Sequence, residues 1–365
     1  MLKCGIIGLP LSGKSTVFNV ITRAGAEVKP YASGKTEPNR ALVNVPDERF
    51  DRLVEIFKPK SEKPADVEFV DLAGLSKDAG KGAGLGNSFL SFVSESDALL
   101  HVVRVFRNDS VPHPENNIDP LRDFRIVEAE LIYRDLGVIS NRISRLEEKK
   151  AKKKLTPQES AELELVRGLE AHMLEEKPLR EYPLDDEQKR MLSGYAFLTL
   201  KPELVVLNLD DTQTGNVPEI SPLMAELESK NMKAVKVYGA TEMELEQLDP
   251  EDRAEFMRDL SVDEPGRDRL IHEAYKLLGL ISFFTSGADE VRAWTLKAGS
   301  TAVDAAGTIH SDLARGFIRA QVVAYDDFIA NNASIAQCRE KGVLRLEGKE
   351  YTVKDGDMIE IRFNV

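Results

Sequence analysis

The feature that most constrains the fold is a strand-like apolar run that leads directly into a glycine-rich loop near the N-terminus. Cys4-Gly5-Ile6-Ile7 is the run, and the loop fits G-x-x-x-x-G-K-S/T over Gly8-Leu9-Pro10-Leu11-Ser12-Gly13-Lys14-Ser15-Thr16. Glycines in such a loop let backbone N–H groups turn inward around phosphates, the lysine reaches the β- and γ-phosphates, and the serine hydroxyl binds Mg²⁺. The pattern predicts a P-loop for a nucleoside triphosphate, with residues 8–16 as ligands and Lys14 also as a catalytic group.

Further apolar runs of strand length recur between helical stretches, at residues 67–71, 98–103, 204–208 and 234–238. Short continuous apolar runs are typical of parallel strands that are buried on both faces. Strands that alternate with helices predict a doubly wound α/β sheet, here of the Ras-like P-loop type.

Composition narrows the class of protein. The chain has 365 residues, enough for two or three domains, and 30% of them are charged. The net charge of −13 argues against indiscriminate nucleic-acid binding, DNA included. Two cysteines, Cys4 and Cys338, argue against a disulfide scaffold. No secretory leader and no apolar run near the ~20 residues of a membrane span occur, so we expect a cytoplasmic protein without a membrane partner.

A helical pattern interrupts the α/β series between residues 123 and 195. One apolar stripe has spacings of 4, 3, 4 and 3, typical of a helical seam, and a second follows the helix start at Thr156-Pro157. The two stripes predict an antiparallel coiled-coil insertion with a lysine-rich tip. The stripes are Ile132, Leu136, Ile139, Ile143 and Leu146, then Leu163, Val166, Leu169 and Met173.

The pattern changes again from about residue 280, where short strand-like runs are separated by turn residues such as Asp355-Gly356-Asp357. This predicts a small β-rich domain. The predicted organisation is a nucleotide-binding domain of residues 1–122 and 196–279, a helical insertion of residues 123–195, and a C-terminal domain of residues 280–365.

A second phosphate-site motif ends the strand-like run at 67–71. Asp71-Leu72-Ala73-Gly74 fits D-x-x-G, in which the aspartate holds Mg²⁺ and the glycine N–H contacts the γ-phosphate. We therefore predict Asp71 as a metal ligand and Gly74 as a nucleotide ligand. Leu75 stands where a glutamine would orient the attacking water, so we expect slow intrinsic hydrolysis.

Asn208-Leu209-Asp210-Asp211 ends a later strand and stands in the place of the base-specificity motif N-K-x-D. An aspartate in the last position can accept hydrogen bonds from guanine, but these residues alone leave ATP against GTP open. Asn208, Leu209 and Asp211 are candidate base ligands, as are Gly239 and Ala240 after the next strand.

With these motifs in order, the chain resembles the YchF family of Obg-like ATPases over nearly its whole length. The resemblance implies a Ras-like OBG-type domain, a helical insertion and a C-terminal β-grasp-like TGS domain. It also implies ATP preferred over GTP, Mg²⁺, and association with the ribosome, through the large subunit or the 70S particle. It rests on residues 8–16, 36–39, 71–75, 84–87 and 101–104, and at the C-terminus on residues 283–285, 290–294, 307–310, 316–318 and 345–349.

Three departures from the family pattern suggest a divergent member. Leu11-Ser12 replace the usual Asn-Val of the loop, and Asp211 replaces a glutamate. Lys35 stands where the family has its switch I threonine, so Thr36, one step later, is the remaining candidate Mg²⁺ ligand.

The resemblance also points to a catalytic histidine. A histidine on the loop after the His-Val-Val-Arg strand is proposed to replace the missing glutamine in the family, and His113 is the matching residue. A neutral imidazole could orient or deprotonate water. The alternative interpretation is a solvated loop histidine.

Arg142, Arg145 and five lysines among residues 149–154 form a local basic tip that could contact ribosomal RNA phosphates, although charge runs are commonly solvated helix ends. Three functions remain open at this point: a ribosome-associated regulatory ATPase, a GTPase switch with a protein effector, and a non-hydrolysing binding module that nucleotide stabilises.

Overall fold

The computed structural model describes residues 2–22, 38–71, 93–213, 217–245, 248 and 264–364, and the backbone alone of residues 27–29. The chain divides into two compact units. The first comprises Met1–Ala41 and Glu68–Leu270, and the second comprises Leu42–Val67 and Ile271–Val365. The predicted sites at Thr36, Gly74 and Leu75 lie outside the described residues.

The larger sheet has seven strands in the order β2-β3-β5-β1-β6-β7-β8. The strands β5 and β6 flank β1 in parallel, and β7 and β8 continue the parallel pairing. Every residue of β6 and β7 is buried, which confirms the predicted parallel sheet. The bounds are β1 (Lys3–Ile7), β2 (Glu27–Lys29), β3 (Asn39–Asn44), β5 (Asp66–Asp71), β6 (Ala98–Arg104), β7 (Glu203–Asn208) and β8 (Lys233–Val237).

Helices follow these strands along the chain, as the doubly wound pattern requires. They are α1 (Lys14–Thr22), α6 (Ser221–Ser229), α7 (Gly239–Leu245) and α8 (Gly266–Leu277). One core cluster joins Val205 and Leu207 of β7 to Leu223 and Leu227 of α6. This packing fixes the edge of the sheet at the C-terminal ends of β1, β6 and β7. The predicted nucleotide site lies on that edge.

A long helical hairpin is inserted between β6 and β7, as predicted. It consists of α3 (Pro120–Ala151) and α4 (Pro157–Leu174), followed by the short α5 (Asp186–Leu192). Thr156 begins α4 with a capping box, because its hydroxyl accepts from the Glu159 N–H and the Glu159 carboxylate accepts from the Thr156 N–H. The two predicted apolar stripes pack into one cluster, with Leu136 and Ile143 partly buried and the other members buried.

Buried polar groups attach the hairpin to the sheet. Asp135 of α3 accepts from the backbone N–H groups of Leu198 and Thr199 at 3.0 and 2.8 Å. Arg180 bonds to both Glu128 of α3 and Glu203 of β7. The contacts of Asp135 with Leu198 and Thr199, and of Arg180 with Glu203, join the inserted region to β7 and the residues before it, so the hairpin base is fixed.

The smaller sheet has six strands in the order β12-β11-β13-β9-β10-β4. Most pairings are antiparallel, but β13 runs parallel to β9 and β4 runs parallel to β10. The β-rich character of the C-terminal region is as predicted. The strands are β4 (Ser61–Lys63), β9 (Leu280–Ser286), β10 (Glu290–Lys297), β11 (Phe317–Ala324), β12 (Arg345–Glu347) and β13 (Asp357–Phe363), and the helices are α2 (Glu48–Phe57), α9 (Ala302–Ile309), α10 (Ser311–Arg315), α11 (Tyr325–Ala330) and α12 (Ile335–Glu340).

Residues 42–67 belong to this second unit, which the sequence did not indicate. The helix α2 packs against β9 and β10, and β4 extends the sheet at its edge. Arg49 of α2 bonds to Asp355 at 2.8 Å and lies 5.3 Å from the ring centre of Phe284. The boundaries predicted at residues 122, 195 and 279 remain predictions.

Candidate nucleotide site

The glycine-rich loop has a backbone that only glycine accommodates at two positions. Gly8 and Gly13 have φ values of 144° and 92°. A Cβ built at Gly8 would lie 2.3 Å from the Val102 carbonyl oxygen, and one built at Gly13 would lie 2.1 Å from Nδ2 of Asn208. The P-loop is therefore packed directly against the ends of β6 and β7, and the spacing of its glycines is a steric requirement.

Lys14 begins α1 with its side chain folded over the loop. Its Nζ donates to the carbonyl oxygens of Gly8 and Leu9 at 3.0 and 2.7 Å. Burial lowers the pKa of Lys14 from 10.5 to about 8, and the nearby charge of Asp71 partly opposes this shift. A desolvated ammonium held at the phosphate-binding end of the loop is suited to pair with an anion.

Ser15 and Asp71 form the second half of the phosphate end. The Ser15 hydroxyl donates to Oδ2 of Asp71 at 2.9 Å, and the side chain of Asp71 is buried at the end of β5. The pairing of β1 with β5 brings Ile6 opposite Asp71, which sets this distance. A hydroxyl and a carboxylate are the hard oxygen donors that Mg²⁺ prefers, so the residues fit that ion.

Asn208 connects the loop to the predicted base-binding residues. Its Nδ2 donates to the Ser12 carbonyl oxygen at 3.1 Å, and its Oδ1 accepts from the Gly239 N–H at 3.3 Å. A Cβ built at Gly239 would lie 3.2 Å from Cγ2 of Thr16. Asn208 therefore acts as a brace within the site and holds three chain segments together.

The other members of the base motif differ in position. The side chain of Leu209 is buried in the hydrophobic core, so its backbone is the part that could contact a nucleotide, and its role as a base ligand stays a prediction. Its N–H donates to the Val237 carbonyl oxygen at 2.8 Å. Asp211 is exposed and Ala240 is exposed. Leu11, with φ 62°, is also exposed at the loop surface.

His113 is held by its own loop and by α3. Its Nε2 lies 2.9 Å from Oδ2 of Asp123, and its Nδ1 accepts from the Glu115 N–H at 3.1 Å. Arg122 bonds to the other oxygen of Asp123 at 2.7 Å. Both ring nitrogens are engaged in this conformation, so the catalytic role of His113 stays a prediction. The sequence did not indicate Asp123 as its partner, because the contact joins a loop to a helix.

A second polar cluster lies in the first unit. His101, Glu128 and Glu203 are buried with their possible ligand atoms within 4.8 Å of one another. The guanidinium of Arg180 bonds to both carboxylates, so it supplies the positive charge there. Burial, and then the charge of Glu203, raise the pKa of Glu128. The cluster is a structural charge network, in which Nδ1 of His101 lies 2.8 Å from Oε1 of Glu203.

The basic tip of the hairpin is partly neutralised. Arg142 pairs with Glu162 at 2.7 Å, and Lys149 pairs with Glu159 at 2.5 Å. Lys150, Lys152, Lys153 and Lys154 are exposed and form no ion pair with any residue in the described part of the chain. These four residues are called the tip lysines below. Across the described ranges, no helix combines the length and apolarity that crossing a membrane would require.

Comparison with known proteins covers the whole chain. Residues 3–135 match the family model described as "50S ribosome-binding GTPase", and residues 280–364 match the model YchF-GTPase_C, described as "Protein of unknown function (DUF933)". The protein named Ribosome-binding ATPase YchF in Haemophilus influenzae is 43% identical over 363 residues, which cover 100% of this chain and 99% of the relative. The protein of the same name in Bacillus subtilis is 42% identical and both chains are covered completely.

Solved structures agree. The structure of the Schizosaccharomyces pombe YchF GTPase matches with a TM-score of 0.86 at 31% identity, over 99% of this chain and 97% of that one. A GTP binding protein from Pyrococcus horikoshii matches with a TM-score of 0.58 at 20% identity, which shows the fold alone. The high full-length identity means that the departures in the P-loop are local and do not set the chain apart as divergent. The chain belongs to the YchF family.

Proposed function

We propose that this chain is an Mg²⁺-dependent P-loop ATPase that hydrolyses ATP slowly and acts as a regulatory switch on the ribosome, in the cytoplasm. The observation that carries the proposal is the phosphate end of the site. There, the buried Asp71 accepts a hydrogen bond from the Ser15 hydroxyl at 2.9 Å, next to a Lys14 ammonium that donates to the carbonyl oxygens of Gly8 and Leu9. Relatives that are 42–43% identical over the full length are named Ribosome-binding ATPase YchF.

Each residue at the phosphate end of the site has a distinct role. Lys14 would leave the carbonyls of Gly8 and Leu9 for the β- and γ-phosphates, where its charge favours the charge that develops in the transition state. Ser15 and Asp71 would hold Mg²⁺, with Thr36 as a further candidate. When bound, Mg²⁺ would neutralise part of the phosphate charge. The N-terminus of α1 adds a partial positive charge at the same point.

Hydrolysis is tested by phosphate release from ATP, with Lys14→Ala as the matched variant. We expect turnover in the wild type and its loss in Lys14→Ala, because no other described cation bonds to the loop carbonyls. Equal rates in the two proteins would favour a non-hydrolysing binding module. His113→Ala should slow turnover and leave binding intact. Normal turnover in that variant would remove His113 from the mechanism.

The preference for ATP or GTP depends on the residues of the base motif. Asp211 is exposed and forms no hydrogen bond with the residues that the structure describes, so its carboxylate is available to guanine, which favours the second candidate, a GTPase switch. The curated relatives are named ATPases, whereas the fission-yeast structure is named a GTPase. We propose ATP. Equilibrium titration with fluorescent ATP and GTP analogues decides the question, and a large excess of GTP affinity would overturn the proposal.

Ribosome association is proposed to use the tip lysines on ribosomal RNA phosphates. Four unpaired cations lie together at the end of a rigid hairpin on a chain of net charge −13, so the attraction is local. Each phosphate contact contributes about 0.7–0.9 to the slope of log K against log salt concentration. Changing the four residues to glutamate should therefore weaken co-sedimentation with ribosomes and reduce the salt slope by about 3.

The matched control for that experiment replaces the same four lysines with arginine, which keeps the charge. This variant should co-sediment as the wild type does. If the glutamate variant also co-sediments normally, the tip is not the contact, and the ribosome proposal would need another surface.

A further inference from the structure

A buried arginine organises the loop that follows β6. Arg104 is the last residue of β6 and is 3% exposed. It donates to the carbonyl oxygens of Phe106 and Pro112 at 3.3 and 3.2 Å, and to those of Asn108 and Val111 at 3.4 and 2.9 Å. A single side chain therefore closes the first half of the β6–α3 loop on itself.

The environment of Arg104 is unusual for a buried charge. Among the described residues no carboxylate lies within ion-pair distance of its guanidinium. Burial lowers the pKa of Arg104, and the charge of Asp123 partly opposes this shift. The four carbonyl dipoles and the ring of Phe106, whose centre lies 4.3 Å from the guanidinium carbon, stabilise the charge in place of an anion. Burying the Arg104 charge without an ionic partner costs desolvation free energy, which indicates that Arg104 has a role other than stabilising the fold.

The loop that Arg104 closes touches the P-loop. The N–H groups of Val105 and Phe106 both donate to the Asn208 carbonyl oxygen at 2.9 Å. A Cβ built at Gly13 would lie 3.6 Å from Cε1 of Phe106. A side chain at position 13 would thus meet both the amide of Asn208 and the ring of Phe106, so both groups lie beside the P-loop at Gly13.

We propose that Arg104 is a positioning residue of the nucleotide site, which holds Phe106 against Gly13 and so keeps the P-loop in the shape that receives phosphates. The inference rests on the proposed nucleotide site. It assigns Arg104 no contact with the substrate. A loop that is fixed before binding loses less conformational freedom when the nucleotide arrives, so Arg104 should act on affinity more than on the chemical step.

The test replaces Arg104 with methionine, which keeps most of the length and removes all five N–H donors. Titration with a fluorescent ATP analogue should show Kd raised about tenfold, with kcat within about threefold of the wild type and KM raised in parallel. Amide exchange across residues 106–112 should accelerate. The ATP affinity of Arg104→Lys should lie between those of the wild type and Arg104→Met, because an ammonium cannot reach all four carbonyls.

Three further variants separate positioning from general damage. Phe106→Leu should weaken binding in the same sense, and its combination with Arg104→Met should cost less than the product of the two effects, since both act on one contact. Arg107→Gln is the matched control. It lies in the same loop, is largely exposed and pairs with Glu219, so its ATP affinity should equal that of the wild type.

Unchanged Kd and KM in Arg104→Met would overturn the inference, whether or not the loop amides exchange faster. If that variant does not fold, Arg104→Lys and Phe106→Leu carry the same test, and normal affinity in both overturns it. Failure of the underlying site is recognised separately, because Lys14→Ala would then bind ATP as tightly as the wild type.

Discussion

At the nucleotide-binding edge of the larger sheet the side chains of Lys14, Asp71 and Asn208 are buried and hydrogen-bonded, whereas at the tip of the hairpin four lysines are exposed and form no ion pair with any residue that the structure describes. Lys14, Asp71 and Asn208 each have defined partners within 3.1 Å. The edge is preorganised for one ligand of fixed shape, whereas the tip offers positive charge without a preformed binding surface. Changes in packing should therefore affect the first region, and changes in charge the second.

The largest effect is expected from a single methyl group in the P-loop. In Gly13→Ala the new Cβ would meet Nδ2 of Asn208 at 2.1 Å, at a backbone φ of 92° that alanine disfavours. Nucleotide affinity should fall at least about 100-fold, since strain and the displaced brace act together. Fluorescent ATP titration checks this. Gly137→Ala, where no atom lies within 4 Å of the new Cβ, is the control and should bind normally.

A second effect tests Asn208 as a brace rather than a base-reading residue. Asn208→Ala removes the bonds to the Ser12 carbonyl and the Gly239 N–H, so affinity should fall about 10- to 30-fold. The loss should be equal for ATP and GTP. Asp211→Ala should instead change the ratio of the two affinities. A loss confined to one nucleotide in Asn208→Ala would show that this residue reads the base.

The pH dependence of binding tests the buried state of Lys14. The free protein has a pKa of about 8 there, and phosphate oxygens would raise it, so binding is linked to proton uptake at higher pH. Affinity should be full below pH 8 and fall about tenfold for each unit above it. Titrations between pH 7 and 9.5 measure this. Lys14→Arg should bind ATP less tightly and should lose the pH dependence. An ATP affinity that does not change with pH in the wild type would contradict a buried Lys14 ammonium.

The smallest effect concerns the shape of the tip. Thr156→Ala removes the capping box of α4 and should lower the free energy of unfolding by about 1 kcal/mol. Thr156→Ser should retain it. Denaturant titration measures both. Because the tip lysines remain, ribosome co-sedimentation should be unchanged in both variants. Its loss in Thr156→Ala would show that the tip is a shaped surface, and the contrast with the nucleotide edge would fail.

The parts of the fold that the sequence predicted are those set by local pattern. The P-loop spacing, the buried parallel strands and the two apolar stripes of the hairpin each report on neighbours within a few residues along the chain. The register of β1 with β5 could then place Ser15 beside Asp71, because the carboxyl ends of parallel strands meet at one edge.

The parts that the sequence missed depend on contacts between distant segments. Nothing near Ser61–Lys63 indicates that this three-residue strand pairs with Glu290 to Arg292 rather than within the first sheet. The sequence motif named Leu209 as a candidate ligand without indicating that its apolar side chain packs in the core, which leaves its backbone for any contact with the nucleotide. Arg104 was visible only as part of a motif, because its role depends on the closed shape of the loop after it.

The central claim is that the P-loop binds and hydrolyses ATP through Lys14. The most direct measurement is phosphate release from ATP by the wild type and by Lys14→Ala under identical conditions. We expect slow but definite turnover in the wild type and no turnover above background in the variant. Equal release by the two proteins would contradict a hydrolytic role for Lys14.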